Sequence, residues 1–179
     1  MAGPDGALWF AEAGALNAIG RITTAGVVTN EFNTPTQPSS PLVIALGSDG
    51  AMWFTEQNTH SIGRVTSSGS FTEYPIPSGS SPLYIATGAA LWFTAVNEQT
   101  GDRIGRMTTD GVVTHELPIQ TSGDECSPTG ISAGPDGNVW FTCELADQIG
   151  RITLPRPAPP APPPAPVPAP VAAVPRFTG

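Results

Sequence analysis

The side chains able to move a proton near neutral pH are few. Two histidines, His60 and His115, stand among 179 residues beside fifteen carboxyl side chains. Glu56 ends the run Trp53-Phe54-Thr55-Glu56, and His60 follows four positions later. A carboxyl and an imidazole can share acid–base work when the chain brings them within hydrogen-bond reach. Glu56 and His60 are therefore the candidate catalytic residues. Glu12 and Glu144 follow equivalent runs, and with Glu56 they are candidate ligands for a hard divalent cation such as Mg2+, which takes oxygen donors. His115, between Thr114 and Glu116, reads as a solvent-facing residue.

Cys126 and Cys143 lie almost evenly about the turn Gly134-Pro135-Asp136-Gly137, so a hairpin there sets them face to face. A disulfide forms if their Cα atoms lie within ~7 Å; two buried thiols are the alternative. A bridge would imply an exported protein. Against that, Met1-Ala2-Gly3-Pro4-Asp5 has neither the basic start nor the apolar run of a secretory signal. Cytoplasm and export both stay open.

Composition narrows the function classes. Seven arginines, no lysine and fifteen acids leave a net charge of −8, the wrong sign for a nucleic-acid footprint or an anionic membrane surface. No apolar run approaches the ~18 residues that a spanning helix needs. Two cysteines exclude a disulfide-rich scaffold and a cysteine-based zinc cluster. Eleven of the 21 prolines fall between Pro155 and Pro175. That stretch has too few backbone donors for a sheet and reads as an extended, polyproline-II-like tail. The expected division is a folding unit over 1–154 and a Pro/Ala-rich tail over 155–179.

The elements that must position the candidate residues follow from an internal repeat. Trp9, Trp53, Trp92 and Trp140 recur at spacings of 44, 39 and 48 residues, each beside a Phe. Ile-Gly-Arg follows each one, placing Arg21, Arg64, Arg106 and Arg151 at spacings of 43, 42 and 45. Apolar runs of four to six residues, separated by Asp-Gly or Ser-Gly, read as strands joined by tight hairpin turns. In the repeat over 41–77 the strands fall at 42–46, 51–55, 62–66 and 70–74. Four antiparallel strands per 40–45 residues is a propeller blade. The fold class is therefore all-β, with about 3.5–4 repeats forming an incomplete propeller. The first repeat lacks its first strand and the last lacks its fourth; a shared closing sheet of terminal strands or part of a larger propeller would each answer that. Open blade edges invite self-association. The Trp stripe reads as inter-blade core and the repeated Arg as structural, bonded to a neighbouring carbonyl or to Glu31, Glu73 and Glu116. The repeated Gly implies a bulge or the close approach of a neighbouring sheet.

The order Ser-Pro-x-x-Ile-Ala-x-Gly-x-Asp-Gly-x-x-Trp-Phe-Thr-Glu, Ile-Gly-Arg-Ile-Thr-Thr-x-Gly, Glu-(Phe/Tyr)-x-(Ile/Leu)-Pro resembles the virginiamycin B lyase, or streptogramin lyase, family. The resemblance covers nearly all of 3–154. It implies a bacterial seven-bladed propeller, a carbon–oxygen lyase of antibiotic resistance that opens streptogramin B rings by Mg2+-assisted elimination. It also implies, on the active rim, a His just after the Pro that opens a blade's first strand and a Glu fourteen residues on. Here the Pro-following positions hold Leu42, Leu83 and Thr129. The Glu is kept at Glu56 and Glu12 and replaced at Ala95 and Cys143. The expected function is a lyase-like propeller with activity impaired or absent, taking a small or peptide-like ligand. A non-catalytic binding propeller, or a fragment of a larger one, is the alternative. Strand alternation puts Glu12, Glu56, Glu98, Asp102, Asp124, Glu125, Glu144, Asp147 and His60 on one rim.

Overall fold

The computed structural model describes residues 1–120 and 126–153. The expected tail over 155–179, like Asp124 and Glu125, lies outside the described residues. Strands β1 (Leu8–Glu12), β2 (Ala18–Ile22) and β3 (Val28–Asn33) form the first sheet; β4 (Pro41–Leu46), β5 (Met52–Glu56), β6 (Ser61–Val65) and β7 (Phe71–Pro75) form the second. The third holds β8 (Ser81–Thr87), β9 (Leu91–Val96), β10 (Arg103–Met107) and β11 (Val113–Pro118), and the fourth β12 (Pro128–Ala133), β13 (Val139–Cys143) and β14 (Gln148–Ile152). Every pairing is antiparallel between consecutive strands. The terminal strands do not merge into a shared sheet, so the expected incomplete propeller is the fold. No helix among the described residues is long and apolar enough to cross a membrane.

Local chemistry sets the hairpins. In the turn before β5, Gly50 takes φ +74° and donates to the Gly47 carbonyl at 3.1 Å, while Gly47 donates to Ala51 at 2.8 Å. Left-handed backbone at that position is free of strain only for Gly. Within β5, alternate side chains point to opposite faces. Phe54 therefore packs toward the first sheet and Trp53 toward the third. The same division sends Trp9 to the second sheet and Trp92 to the fourth, which meets it with Phe141. Three apolar seams join the four sheets in chain order.

The outer faces of the series lack this cover. Ile19, Ile62 and Ile104 are 0%, 0% and 1% exposed, whereas Ile149, at the same place in the fourth sheet, is 72% exposed. Leu8 of the first sheet is bare where Met52, Leu91 and Val139 are buried.

Ile-Gly-Arg has a different origin from the one expected. Gly20, Gly63, Gly105 and Gly150 stand opposite Phe10, Phe54, Phe93 and Phe141 in register. A Cβ at any of them would overlap that Phe ring. The close approach is by a ring of the same sheet rather than a neighbouring one. The expected bulge is present beside the block in two sheets, where the register breaks between Arg21 and Ile22 and between Arg106 and Met107; the first strands break register between Pro41 and Ile44, Pro82 and Ile85, and Pro128 and Gly130. Replacing Gly63 by Ala overpacks the Phe54 ring and lowers stability by about 1–3 kcal/mol, the usual cost of an inserted methyl in a filled core. Urea denaturation of Gly63→Ala measures it; an unchanged midpoint contradicts this account.

Candidate functional site

Strand direction places the β1–β2, β5–β6, β9–β10 and β13–β14 loops on one rim with the segments that pass from sheet to sheet. One tie recurs along it. The Asn17 Oδ1 accepts from the Ser40 amide at 2.7 Å, His60 Nδ1 meets Ser81 Oγ at 3.0 Å, and Asp102 Oδ2 accepts from the Ser127 amide at 2.8 Å. The carbonyls of Asn17, His60 and Asp102 accept in turn from the amides of Thr34, Ile76 and Ile119. His60 thus occupies the position of Asn17 and Asp102, but meets the Ser hydroxyl where they accept from the Ser amide. It is exposed and anchors the segment entering β8. His115 is exposed, beside Thr114 Oγ1 at 3.2 Å.

Glu56 sits in a different setting. It is the last residue of β5, paired with Pro41 and Ser61, and not the head of a loop. It is fully buried, and neither carboxyl oxygen has a well-formed hydrogen bond. Around it lie Ser39, whose Oγ is 2.7 Å from Thr34 Oγ1, and Glu73, which accepts from the Thr36 amide at 2.9 Å and Thr36 Oγ1 at 2.6 Å. Burial pushes the Glu56 carboxyl up to about 8; the charge of Glu73 and its hydrogen bond act the same way, and Ser39 acts against them. These effects favour the neutral form of the Glu56 carboxyl. Asn17, Thr34, Ser39 and Glu73 were missed by sequence reasoning. Aligning 34–41 with 76–82 would have flagged Thr34, because Ile76 stands in its place.

The remaining candidates do not converge. Glu12 ends β1 with one buried oxygen lacking a partner, while Glu144 is exposed beyond β13. With Glu56 they stand on the first, second and fourth sheets, and no three His, Cys, Asp or Glu among the described residues come together as a metal would require. Glu12, Glu56 and Glu144 therefore do not gather into one common ligand set. Nor does His60, held against Ser81, have a hydrogen bond to Glu56. Cys126 and Cys143 are bonded, with Cα atoms 4.4 Å apart. Arg21 and Arg64 pair with Asp5 at 2.6 Å and Asp49 at 2.7 Å, and not with the fourth-strand glutamates. Those aspartates also accept from Trp9 and Trp53, whose rings face the seams. Burial works to raise the Asp5 carboxyl, yet the bonds from Arg21, Trp9 and Ala7 bring it down to about 2. Arg64, Arg106 and Arg151 lie over Trp53, Trp92 and Trp140.

Because Asn already fills the His60 position in the first repeat, His60→Asn keeps the fold. Its unfolding free energy, measured by urea denaturation, should stay within about 0.5 kcal/mol of the parent's. A large loss would give His60 a role that the repeated tie does not explain.

The comparisons with known proteins meet this geometry. The virginiamycin B lyase family model matches residues 1–158. A virginiamycin B lyase of Nocardia farcinica is 34% identical over 153 residues, 85% of this chain and 50% of that protein. The selenomethionine form of virginiamycin B lyase from Staphylococcus aureus is 43% identical at a TM-score of 0.73, covering 86% of this chain and 50% of its own. A catalytically inactive variant of the S. aureus enzyme, solved with quinupristin, is 37% identical at a TM-score of 0.71, over 88% of this chain and 55% of its own. The chain thus spans about half the length of these relatives. Its repeated Trp-Phe and Ile-Gly-Arg blocks, its sheet order and these matches agree: the chain belongs to the virginiamycin B lyase family.

Proposed function

We propose that the chain serves as the part of a streptogramin-lyase propeller that seats a cyclic depsipeptide, and that its four sheets alone do not open the ring. The seating reading rests on family membership and on a relative solved with quinupristin. Eliminative opening of an ester needs a base to take a proton from the carbon beside the one bearing the ester oxygen. The carbon–oxygen bond then breaks and a carboxylate leaves, which calls for a donor within hydrogen-bond reach. The observation that carries the second half is the set of residues after each blade-opening Pro. Leu42, Leu83 and Thr129 occupy the places where the family resemblance expects His, and none of them is a base. Glu56, fully buried and with no hydrogen bond to His60, is not placed to replace one. No step is assigned to Mg2+, since the candidate ligands do not form a set. A role in streptogramin resistance belongs to the same proposal.

Incubation with a streptogramin B and Mg2+, with and without chelator, followed by mass spectrometry, tests it. The expected result is unchanged cyclic depsipeptide, together with saturable binding by calorimetry. Chelator-sensitive linear product would overturn the claim of lost catalysis, and absence of binding would overturn the seating role.

The partner proposal is a second copy of the chain. The bare positions of the fourth sheet, Trp140 and Ile149, are those by which Trp9, Trp53, Trp92 and their isoleucines hold the following sheet. The first sheet offers Leu8 from the matching incoming face. One copy's first sheet can therefore seat on another's fourth through the contacts already used within the chain. Light scattering at micromolar concentration should give a mass above the monomer, and Ile149→Arg should return it to the monomer value. A clean monomer in the parent chain rejects the association.

A further inference from the structure

In each sheet the repeated Trp stands directly opposite the repeated Arg: Trp9 with Arg21, Trp53 with Arg64, Trp92 with Arg106, and Trp140 with Arg151. In three of the four sheets the turn before the Trp supplies an Asp to its indole. Trp9 Nε1 donates to Asp5 Oδ1 at 3.1 Å, Trp53 Nε1 to Asp49 Oδ1 at 3.0 Å, and Trp140 Nε1 to Asp136 Oδ1 at 3.3 Å. In the first two sheets the other oxygen accepts from arginine, with Arg21 Nε at 2.6 Å and Arg64 Nε at 2.7 Å. One carboxylate thus bridges an indole and a guanidinium N–H, with the strength of a charge-assisted pair. Burial works to raise Asp5 and Asp49, yet the bonds from Arg and Trp hold both below the usual carboxylate range. The two donors together favour a carboxylate anion.

The third sheet keeps the donors without the acid. Between the paired residues Thr87 and Leu91 its turn is Gly88-Ala89-Ala90, two residues shorter than Gly47-Ser48-Asp49-Gly50-Ala51 between Leu46 and Met52. Arg106 nevertheless lies over Trp92 at 5.8 Å, the distance of Arg64 from Trp53. Its Nη1 donates to Thr114 Oγ1 at 3.2 Å, as Arg21 Nη1 does to Thr29 Oγ1 at 2.7 Å. The guanidinium is therefore held in the same place. Its Nε, the atom that meets Asp in the first two sheets, has no acceptor among the described residues, and neither has Trp92 Nε1. The short turn does not close over them. A Cβ on Gly3, Gly47 or Gly134 would run into the Trp indole and the Asp oxygen, whereas one on Gly88 would meet only Ala133, at 3.3 Å. Nearby acids do not substitute. Glu116 is taken by Ser78, and Asp110, in the turn after β10, makes no ion pair among the described residues.

We propose that Trp92 and Arg106 form a binding site for a small carboxylate, held between Trp92 Nε1 and Arg106 Nε in the place that an Asp side chain fills in the other sheets. The ligand class follows from the chain's own precedent, since acetate has the carboxylate and methyl carbon of an Asp side chain. A net charge of −8 repels a polyanionic partner, and a single carboxylate meets the least of that repulsion. The site lies on the rim of the hairpin turns, away from the segments that pass from sheet to sheet. It is therefore independent of the depsipeptide reading.

The chain contains its own controls. Nuclear magnetic resonance of the full chain follows the four indole N–H signals while sodium acetate is titrated against sodium chloride of equal ionic strength. The Trp92 signal should shift saturably in acetate alone. Those of Trp9, Trp53 and Trp140 should stay in place, because each already has its acid. Arg106→Gln should abolish the Trp92 shift. Replacing residues 88–90 by Gly-Ser-Asp-Gly-Ala, the turn of the second sheet, should set a carboxylate between the same donors. The Trp92 signal should then move without acetate and no longer respond to it. A Trp92 signal that moves no further in acetate than in chloride, that moves equally with the other three, or that still responds in Arg106→Gln or the turn replacement would each overturn the site. Should Arg106→Gln fail to fold, the turn replacement decides, since it adds only bonds already made in the second sheet.

Discussion

No sheet of this protein can hide both of its own faces. Each sends a Trp and an Ile forward into the next sheet and receives that sheet's Phe and its preceding apolar residue in return. Every large side chain so buried contributes roughly 1.5–3 kcal/mol relative to exposure, and the repeat multiplies that gain seam by seam. Other repeated features serve the same exchange. Gly in Ile-Gly-Arg clears room for the Phe ring, Arg lies over the Trp, and Asp of the turn before β1 or β5 binds both Trp and Arg. The two outermost faces are bare because the exchange has no partner there.

Repetition also separates residues that build the molecule from residues that are free to do something else. His60 carries chemistry on paper, yet it stands where Asn17 and Asp102 make the same tie to the following segment. Its imidazole is one of three side chains that hold a Ser before a blade-opening Pro, here through the hydroxyl and in the other two through the amide. Glu56 is the opposite case. Ala95 and Cys143 fill its position in the later repeats, so sheet packing alone gives no reason for a carboxyl at the first seam. A buried acid with a neighbouring acid shifts toward its neutral form, and that makes the first seam chemically unlike the other two.

Family membership sets the frame for this contrast without resolving it. The chain spans about half the length of its relatives, and the positions where the family resemblance expects imidazoles are held here by Leu42, Leu83 and Thr129. The lyase fold is thus retained through its inter-sheet contacts, which tolerate changes on the rim. Seams and rim residues answer to different constraints, packing in the one case and chemistry in the other.

The sequence by itself determined the strands, their antiparallel order and the place of the Trp stripe in the inter-blade core. Alternation along a strand and Asp-Gly turns act over a few residues, so Met52–Glu56 and Ser61–Val65 could be read to within a residue. The hairpin about Gly134–Gly137 likewise brought Cys126 near Cys143, although the residue paired with Cys143 is Pro128, two positions on from Cys126. The tertiary structure decided what lay beyond each face. Arg64 reaches Asp49 across a hairpin and not Glu73 on the next strand, because its side chain points to the rim opposite the 34–40 segment. Glu73 instead turns to Thr36, 37 residues away in the preceding segment. Glu56 is enclosed because that segment folds over the end of β5, a contact between elements that no local periodicity encodes.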